Sequence, residues 1–254
     1  MNLDRVKINK MVVNITSVEK VKYMVELWIR EKVARYVCVA SVHVCMECYD
    51  NPNYEKCVNS ADIVVPDGRP LFWLQKLLGY REAKQVRGVD LTWALIQYSA
   101  EKKLRLGFYG ASEGALKKIS ARLRDLYPKL EISYLYSPPY RYLGQLELER
   151  IYKNIDKAKV DILFVGLGCP KQERWMYEAK DHLSCVMLGV GAAFDFIAGN
   201  KKEAPKWLSV IGFEWLWRLI CEPKRLWWRY FKHNPRFVLL ALRQLLQNFW
   251  KKHG

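Results

Sequence analysis

Two hydrophobic segments that end in glycine turns constrain the fold of this chain most. In residues 160–175 (VDILFVGLGCPKQERW) an apolar run predicts a buried strand, which Gly166 and Gly168 end before a helix. Residues 185–199 (CVMLGVGAAFDFIAG) repeat the pattern and carry Asp195 just after the glycines. A strand that leads through glycines into a helix often forms an anion site, because the helix N-terminus presents unpaired N–H groups. Both strand ends are therefore expected to line one cleft.

Hydrophobic runs alternate with helical patterns along residues 1–200. Strands are predicted at residues 7–15, 36–42, 61–65, 104–109 and 130–136, and helices at residues 17–30, 43–59, 70–79, 88–102, 146–157 and from 114 to 126. This alternation predicts an α/β fold, a Rossmann-like, mostly parallel sheet with helices on both faces. Residues 1–200 are expected to form this core. Residues 201–254 are expected to form a helical appendage, divided by Pro205, Pro223 and Pro235 into helices 206–221, 224–232 and 236–251.

Polar residues and glycines follow several predicted strands. Because the carboxyl ends of parallel strands meet at one edge of the sheet, they are expected to line a single crevice. The candidates are Ser41, His43, Asp67, Gly110, Ser112, Gly166, Gly168, Gln172 and Asp195. Asp67 lies in a Pro-Asp-Gly turn, which is common for conformational reasons alone; at a strand end it could also accept a proton from a hydroxyl. Asp195 could be a helix cap, and His43 a base, a phosphate donor or a structural residue.

The nucleotide and metal motifs that are most easily recognised do not occur in the sequence. The turn at residues 110–114 (GASEG) lacks the GxGxxG dinucleotide fingerprint and the GxxxxGK[ST] phosphate loop, which disfavours a nicotinamide-dependent oxidoreductase. The single CxxC at Cys45 and Cys48 has no second ligand pair, so buried cysteines are favoured over a metal or redox site. No cofactor and no metal are expected.

Positive charge is concentrated near the C-terminus. The chain has 254 residues and a net charge of +16, and residues 201–254 carry 12 Lys/Arg against 3 Asp/Glu together with six of the ten tryptophans. Base stacking and phosphate contacts use these residue types, so a non-catalytic nucleic-acid-binding protein is one alternative. Binding to an anionic membrane surface fits better, because Trp prefers the headgroup level and Lys and Arg attract anionic lipids. Without a signal peptide or a spanning apolar run, a peripheral protein on the cytoplasmic side is expected.

Five ordered motifs then indicate a family. VVPDGRPL, GLGCPKQERW, GVGAAFDFIAG, APKWLSVIGFEWLWRL and EPKRLWWRY resemble the WecG/TagA/CpsF glycosyltransferases, and the likeness runs from about residue 8 to about residue 232. Members of this family transfer a sugar, best known as N-acetylmannosamine, from a UDP-sugar to a polyprenyl-diphosphate-linked glycan. The transfer inverts the anomeric centre of the sugar. It takes place at the cytoplasmic face of the bacterial plasma membrane, in teichoic acid, capsule or exopolysaccharide synthesis. Nucleic acid is not an expected partner, and a homo-oligomer is left open.

The resemblance also implies roles for individual residues. Asp67 would be the general base, and Gln172 would contact the donor or the acceptor. Arg218, Arg225 and Arg229 would reach the diphosphate. Metal-independent catalysis is implied as well, since no Asp-x-Asp motif is present.

Two positions depart from the family pattern. Ser41 stands where an asparagine is usual after the second strand, and Gln85 stands where an arginine is usual, with Arg87 two residues later. Ser41 and Arg87 are therefore expected substrate contacts, and the donor is N-acetylmannosamine or another UDP-hexose.

Overall fold

The computed structural model describes residues 3–205, 207–208 and 212–253, without the side chains of Arg225, Lys252 and His253. Its strands are β1 Arg5–Ile8, β2 Met11–Asn14, β3 Arg35–Ala40, β4 Ile63–Pro66, β5 Arg105–Gly110, β6 Glu131–Tyr136, β7 Ile162–Gly166 and β8 Val186–Gly189. The core helices are α1 Val18–Glu31, α2 Val42–Asp50, α3 Pro52–Asn59, α4 Arg69–Leu77, α5 Gly88–Lys102, α6 Glu113–Leu126, α7 Gln145–Lys157, α8 Lys171–Ala179 and α9 Ala193–Ile197. The C-terminal part contains α10 Glu214–Cys221 and α11 Pro223–His253.

Six strands form one parallel sheet in the order β4-β3-β8-β7-β5-β6. The central strands are almost entirely apolar because both faces of the sheet are covered, and β7 is buried from Ile162 to Val165. Each aliphatic side chain buried in this way contributes on the order of 2 kcal/mol to stability. The α/β, Rossmann-like expectation is confirmed.

Helices cover the two faces of the sheet as separate layers. One layer contains α1, α5, α6 and α9 and packs on side chains such as Phe108 and Phe164; the other contains α2, α3, α7 and α8 and packs on Tyr109 and Val165. Ser17 and Ser112 cap α1 and α6, because each hydroxyl accepts a backbone N–H from the first turn. Since α8 follows β7 on one face and α9 follows β8 on the other, the chain leaves these neighbouring strand ends in opposite directions, which is where such sheets bind ligands.

The predicted first strand, residues 7–15, is wrong. Residues 5–14 instead form the antiparallel hairpin β1-β2, a separate two-stranded sheet. The chain reverses at Asn9, which has φ of 55°, a left-handed conformation that asparagine tolerates better than most residues.

Residues 43–59 are helical as predicted, but they form two helices, α2 and α3. The chain breaks at Asn51, where the side-chain oxygen accepts the N–H of Tyr54 and starts α3, with Pro52 in its first turn. The sequence carried this signal, since an asparagine before a proline favours a helix start.

The predicted division of the tail at Pro235 is wrong, because α11 continues through it. A proline inside a helix costs on the order of 3 kcal/mol. Contacts on both sides of Pro235 offset this cost: Leu226 and Phe237 are buried against the core, and Arg236 forms two hydrogen bonds of 2.9 and 2.6 Å with Asp50. Part of the predicted helix at residues 206–221 lies outside the described residues. The described part includes α10.

No helix within the described ranges combines the length and the apolarity needed to cross a membrane.

Candidate active site

The candidate site lies at the carboxyl edge of the parallel sheet. Ser41 follows β3, Asp67 follows β4, and glycine turns follow β5, β7 and β8. A Cβ placed on Gly68 would lie 3.9 Å from the Cα of Ser41, so the turns after β3 and β4 touch. The strand ends that carry the predicted residues are thus neighbours in the sheet.

Asp67 is held by hydrogen bonds from three directions. Its N–H donates to the carbonyl of Ala40 at 2.9 Å, and its own carbonyl accepts from the Nε2 of Gln85 at 2.5 Å. The carboxylate Oδ1 accepts the N–H of Gly88, the first residue of α5, at 2.7 Å. The side chain is therefore fixed at the N-terminus of α5, with one oxygen engaged.

The surroundings of Asp67 make it a better proton acceptor than an ordinary aspartate. Burial raises the pKa of its carboxyl and outweighs the hydrogen bond from Gly88, which lowers it. Among the nearby charges, Glu214 raises the pKa, whereas Arg218 and Arg87 lower it. The net pKa is raised, and two of these three charges come from the C-terminal tail.

Arg87 is bound to carboxylates rather than pointing freely into the crevice. Its guanidinium lies 3.1 Å from Asp90, 3.4 Å from Glu203 and 3.2 Å from Glu214. Asp90 belongs to α5, whereas the two glutamates belong to the tail. In this conformation Arg87 fastens the tail to the core next to Asp67, and a direct substrate contact stays a prediction.

The tail places arginines beside the same edge. Arg218 of α10 lies over the ring of Phe196, 5.9 Å from its centroid, and its Nε is buried without a hydrogen-bond partner in the described parts of the chain. Arg229 of α11 lies close enough to His43 to lower the pKa of that imidazole, after burial as the main cause. The side chain of Arg225 lies outside what the structure describes.

The glycine turns after β5 and β7 pack against each other. Gly110 has φ of +114°, and a Cβ on it would lie 2.6 Å from the carbonyl carbon of Gly166. The next residue, Ala111, donates its N–H to the carbonyl of Gly166 at 3.1 Å. Only a glycine permits this approach of the two strand ends.

Three other predicted residues are already engaged inside the protein. The hydroxyl of Ser112 accepts the N–H of Ala115 as the cap of α6. Gln172 is only 4% exposed; its Oε1 accepts the N–H of Gly168 at 3.1 Å, and its Nε2 donates to Glu173 at 2.8 Å. Gln172 therefore shapes the turn that contains Gly168. Direct substrate contacts of Ser112, Gln172 and Gly168 stay predictions.

Asp195 points towards the start of the tail. It pairs with Lys201, which also lies 3.1 Å from Glu222 at the end of α10. These charges join α9 to the tail. His43 faces α11 as well, so His43 and Asp195 contact the tail, whereas Ser41 and Asp67 lie in neighbouring turns.

Sequence reasoning missed Glu214 and Glu203 as parts of the site, and it noted Gln85 only as a departure from the family pattern. Nothing in the local sequence of the two glutamates indicates a partner 116 or 127 positions away. The charge of the tail gave the only signal. The tail is basic and has few acidic residues, so each of them is expected to have a specific partner.

A groove lies elsewhere on the protein. It measures about 920 Å³ and separates the β1-β2 hairpin from α11, and its cations are Lys7, Lys10, Arg243 and Lys251. None of the predicted site residues lines it.

Comparison with known proteins agrees with the motifs. A protein of Bacillus spizizenii named N-acetylglucosaminyldiphosphoundecaprenol N-acetyl-beta-D-mannosaminyltransferase is 29% identical over 225 residues, which cover 88% of this chain and 84% of that protein. A Bacillus subtilis protein of the same name is 28% identical over 233 residues, covering 91% and 87%. A Staphylococcus aureus protein of that name is 28% identical over 174 residues, covering 68% and 66%.

The model of the Glycosyl transferase WecG/TagA/CpsF family matches residues 6–251, which include both the sheet and the tail. The chain therefore belongs to the WecG/TagA/CpsF family of glycosyltransferases.

Proposed function

We propose that this glycosyltransferase moves N-acetylmannosamine, or another hexose, from a UDP-sugar to a polyprenyl-diphosphate-linked N-acetylglucosamine. The names of the relatives support this acceptor and this sugar. The observation that carries the proposal is Asp67, a carboxylate with a raised pKa at a strand end, faced by charged residues of the tail.

In the proposed reaction Asp67 is the general base. A hydroxyl of the acceptor sugar attacks C1 of the donor from the side opposite UDP, and its proton passes to the free oxygen of Asp67. The new C–O bond forms as the bond from C1 to the UDP oxygen breaks, so the anomeric centre is inverted. Oδ1 keeps its bond to Gly88, which holds the base in place during the transfer.

The departing UDP carries negative charge that needs stabilisation. Arg218 supports this role best, because its Nε is buried and unpartnered among the described residues and its charge already acts on Asp67. Arg225 and Arg229 are proposed to share it. The glycine turns at Gly110 and Gly168 are proposed to shape the surface that the donor contacts.

The protein is proposed to act at a membrane surface, as its lipid-linked acceptor requires. Large apolar side chains are exposed along α10 and α11, among them Trp215, Ile220, Trp227, Trp228, Phe231, Leu239, Leu242, Leu246, Phe249 and Trp250. The cations of the groove beside α11 add attraction for anionic lipids, about 1 kcal/mol each at a membrane surface. We propose the cytoplasmic face of the plasma membrane for this contact.

A direct assay tests the proposal. Purified protein is incubated with a short-chain lipid diphosphate carrying N-acetylglucosamine and, in turn, with UDP-N-acetylmannosamine and other UDP-hexoses. We expect one donor to give a disaccharide lipid and an equal amount of UDP. A full panel of UDP-sugars without any acceptor-dependent UDP release would contradict the proposal.

A further inference from the structure

A second cluster of reactive side chains lies where α2 meets α11. His43 and Glu47 are four residues apart on α2, so their side chains lie on the same face of that helix. His233 projects towards them from α11. One potential ligand atom from each of the three residues lies within 4.8 Å of the other two.

The distances are close to those of a metal site. The Nε2 of His43 lies 3.5 Å from the Oε1 of Glu47, and the Nε2 of His233 lies 4.0 Å from the same oxygen. In a tetrahedral zinc site with bonds of about 2.0–2.1 Å, neighbouring ligand atoms are separated by about 3.4 Å. Small side-chain rotations would therefore bring the three atoms around one ion.

His233 lacks the partners that a buried imidazole normally has. The side chain is only 5% exposed, and its Nδ1 is buried without a hydrogen-bond partner in the described ranges. Its Nε2 is too far from Glu47 for a hydrogen bond. Nε2 is thus available as a metal ligand, and an ion bound there would hold the imidazole in place.

The types of ligand in the cluster indicate which ion it would bind. Both imidazoles are largely buried, and a neutral imidazole can bind metal through a ring nitrogen. Arg229 and Lys232 lie nearby and repel cations. Hard ions such as Mg²⁺ prefer several oxygen ligands, whereas imidazole suits zinc and its neighbours.

We propose that His43, Glu47 and His233 bind a zinc-like divalent transition-metal ion that fastens α11 to α2. Two histidines and a glutamate are a known zinc ligand set, and water would complete the coordination. The ion is a structural fastener for the tail, and sugar transfer proceeds at Asp67 without it. His43 is then a metal ligand in place of the substrate contact expected from the sequence.

The full-length protein, freed of metal by a chelator, is titrated with Co²⁺, because cobalt in such a site absorbs visible light. We expect one Co²⁺ per chain and its displacement by Zn²⁺. His233→Gln and Glu47→Gln should each weaken Co²⁺ binding at least tenfold. His182→Gln removes an exposed histidine that stacks on Tyr152 and should leave the binding unchanged.

Two results would overturn the proposal. Wild-type protein that binds no Co²⁺ refutes the site. The site is also refuted if His233→Gln and Glu47→Gln bind Co²⁺ as tightly as the wild type does. Glu47 is partly exposed, so Glu47→Gln decides the matter if His233→Gln does not fold. For the fastening role, Zn²⁺ should slow tryptic cleavage of α11 in the wild type but not in Glu47→Gln; equal cleavage with and without Zn²⁺ rules that role out.

Discussion

The Oδ1 of Asp67 accepts the backbone N–H of Gly88 at 2.7 Å, which joins the end of β4 to the start of α5. This bond fixes the carboxylate, yet burial still raises its pKa. A general base works best when it is positioned and its pKa is moved towards the working pH. The same raised pKa has a cost in stability.

We expect Asp67→Asn to melt at a higher temperature than the wild type at neutral pH. Because the pKa of Asp67 is raised in the folded protein, the folded state binds this proton more tightly than the unfolded chain does. The stabilising contribution is therefore present below the unfolded pKa of about 4 and is lost as the pH rises through the folded pKa. Asparagine keeps the acceptor for Gly88 without the buried charge.

Thermal unfolding at several pH values measures this effect. The difference between Asp67→Asn and the wild type should shrink towards acid pH. Asp125→Asn, at an exposed position of α6, should show no such pH-dependent gain. A lower melting temperature for Asp67→Asn at neutral pH would mean that the ionised form is favoured in the folded state.

The ion pair between Arg87 and Glu214 is expected to hold the tail closed. Glu214→Gln should loosen the tail by about 1 kcal/mol, since Arg87 keeps two other acids and the pair is partly exposed to solvent. Limited proteolysis should then cleave the tail a few times faster. Loss of this charge should also lower the pKa of Asp67 and move the acid limb of kcat/KM to lower pH.

Glu26→Gln removes a comparable ion pair with Arg30 on α1, far from the tail in sequence and in the fold. It should change neither the cleavage rate nor the pH profile. If Glu214→Gln, like Glu26→Gln, changes neither the cleavage rate nor the pH profile, then Arg87 does not hold the tail closed.

Gly110→Ala and Gly114→Ala should have opposite effects although they are four residues apart. At Gly110 the new Cβ would meet the backbone of Gly166 at 2.6 Å and force a residue with a side chain to adopt φ of +114°, for a loss of about 2–4 kcal/mol. Gly114 lies in α6 with open space around its Cα, so alanine should stabilise by about 0.5 kcal/mol. Urea unfolding measures both changes, and equal stabilities would refute the close packing of the two turns.

Exposed leucines on α11 are expected to contact the membrane. Replacing Leu239, Leu242 and Leu246 with serine should weaken binding to anionic vesicles at least tenfold, because each leucine contributes on the order of 1 kcal/mol or more when buried in lipid. The matched control replaces three exposed leucines of the α/β part of the chain with serine: Leu126, Leu135 and Leu146. Vesicle co-sedimentation with equal losses for both triple variants would argue against a membrane-facing α11.

The sequence predicted the sheet well because its strands are hydrophobic runs with glycine or polar ends. It also located Asp67, since a carboxylate directly after a buried strand can lie only at the carboxyl edge. It failed at Pro235 and at the β1-β2 hairpin. In both places tertiary contacts or a single left-handed residue, Asn9, decide the structure.

The pairings across the tail could not be predicted from the sequence. Glu214 and Arg87 are 127 residues apart, and His233 and Glu47 are further apart still. Charge and residue type indicate that such residues need partners, but only the packing of the tail on the core decides which partners they find.

The most direct test of Asp67 as the base is the rate of acceptor-dependent UDP release by Asp67→Asn, with Asp125→Asn as control and UDP-sugar binding measured alongside. We predict a loss of at least about 100-fold, typical for removal of a general base, with donor binding preserved. Near wild-type turnover by a folded Asp67→Asn protein would contradict the assignment.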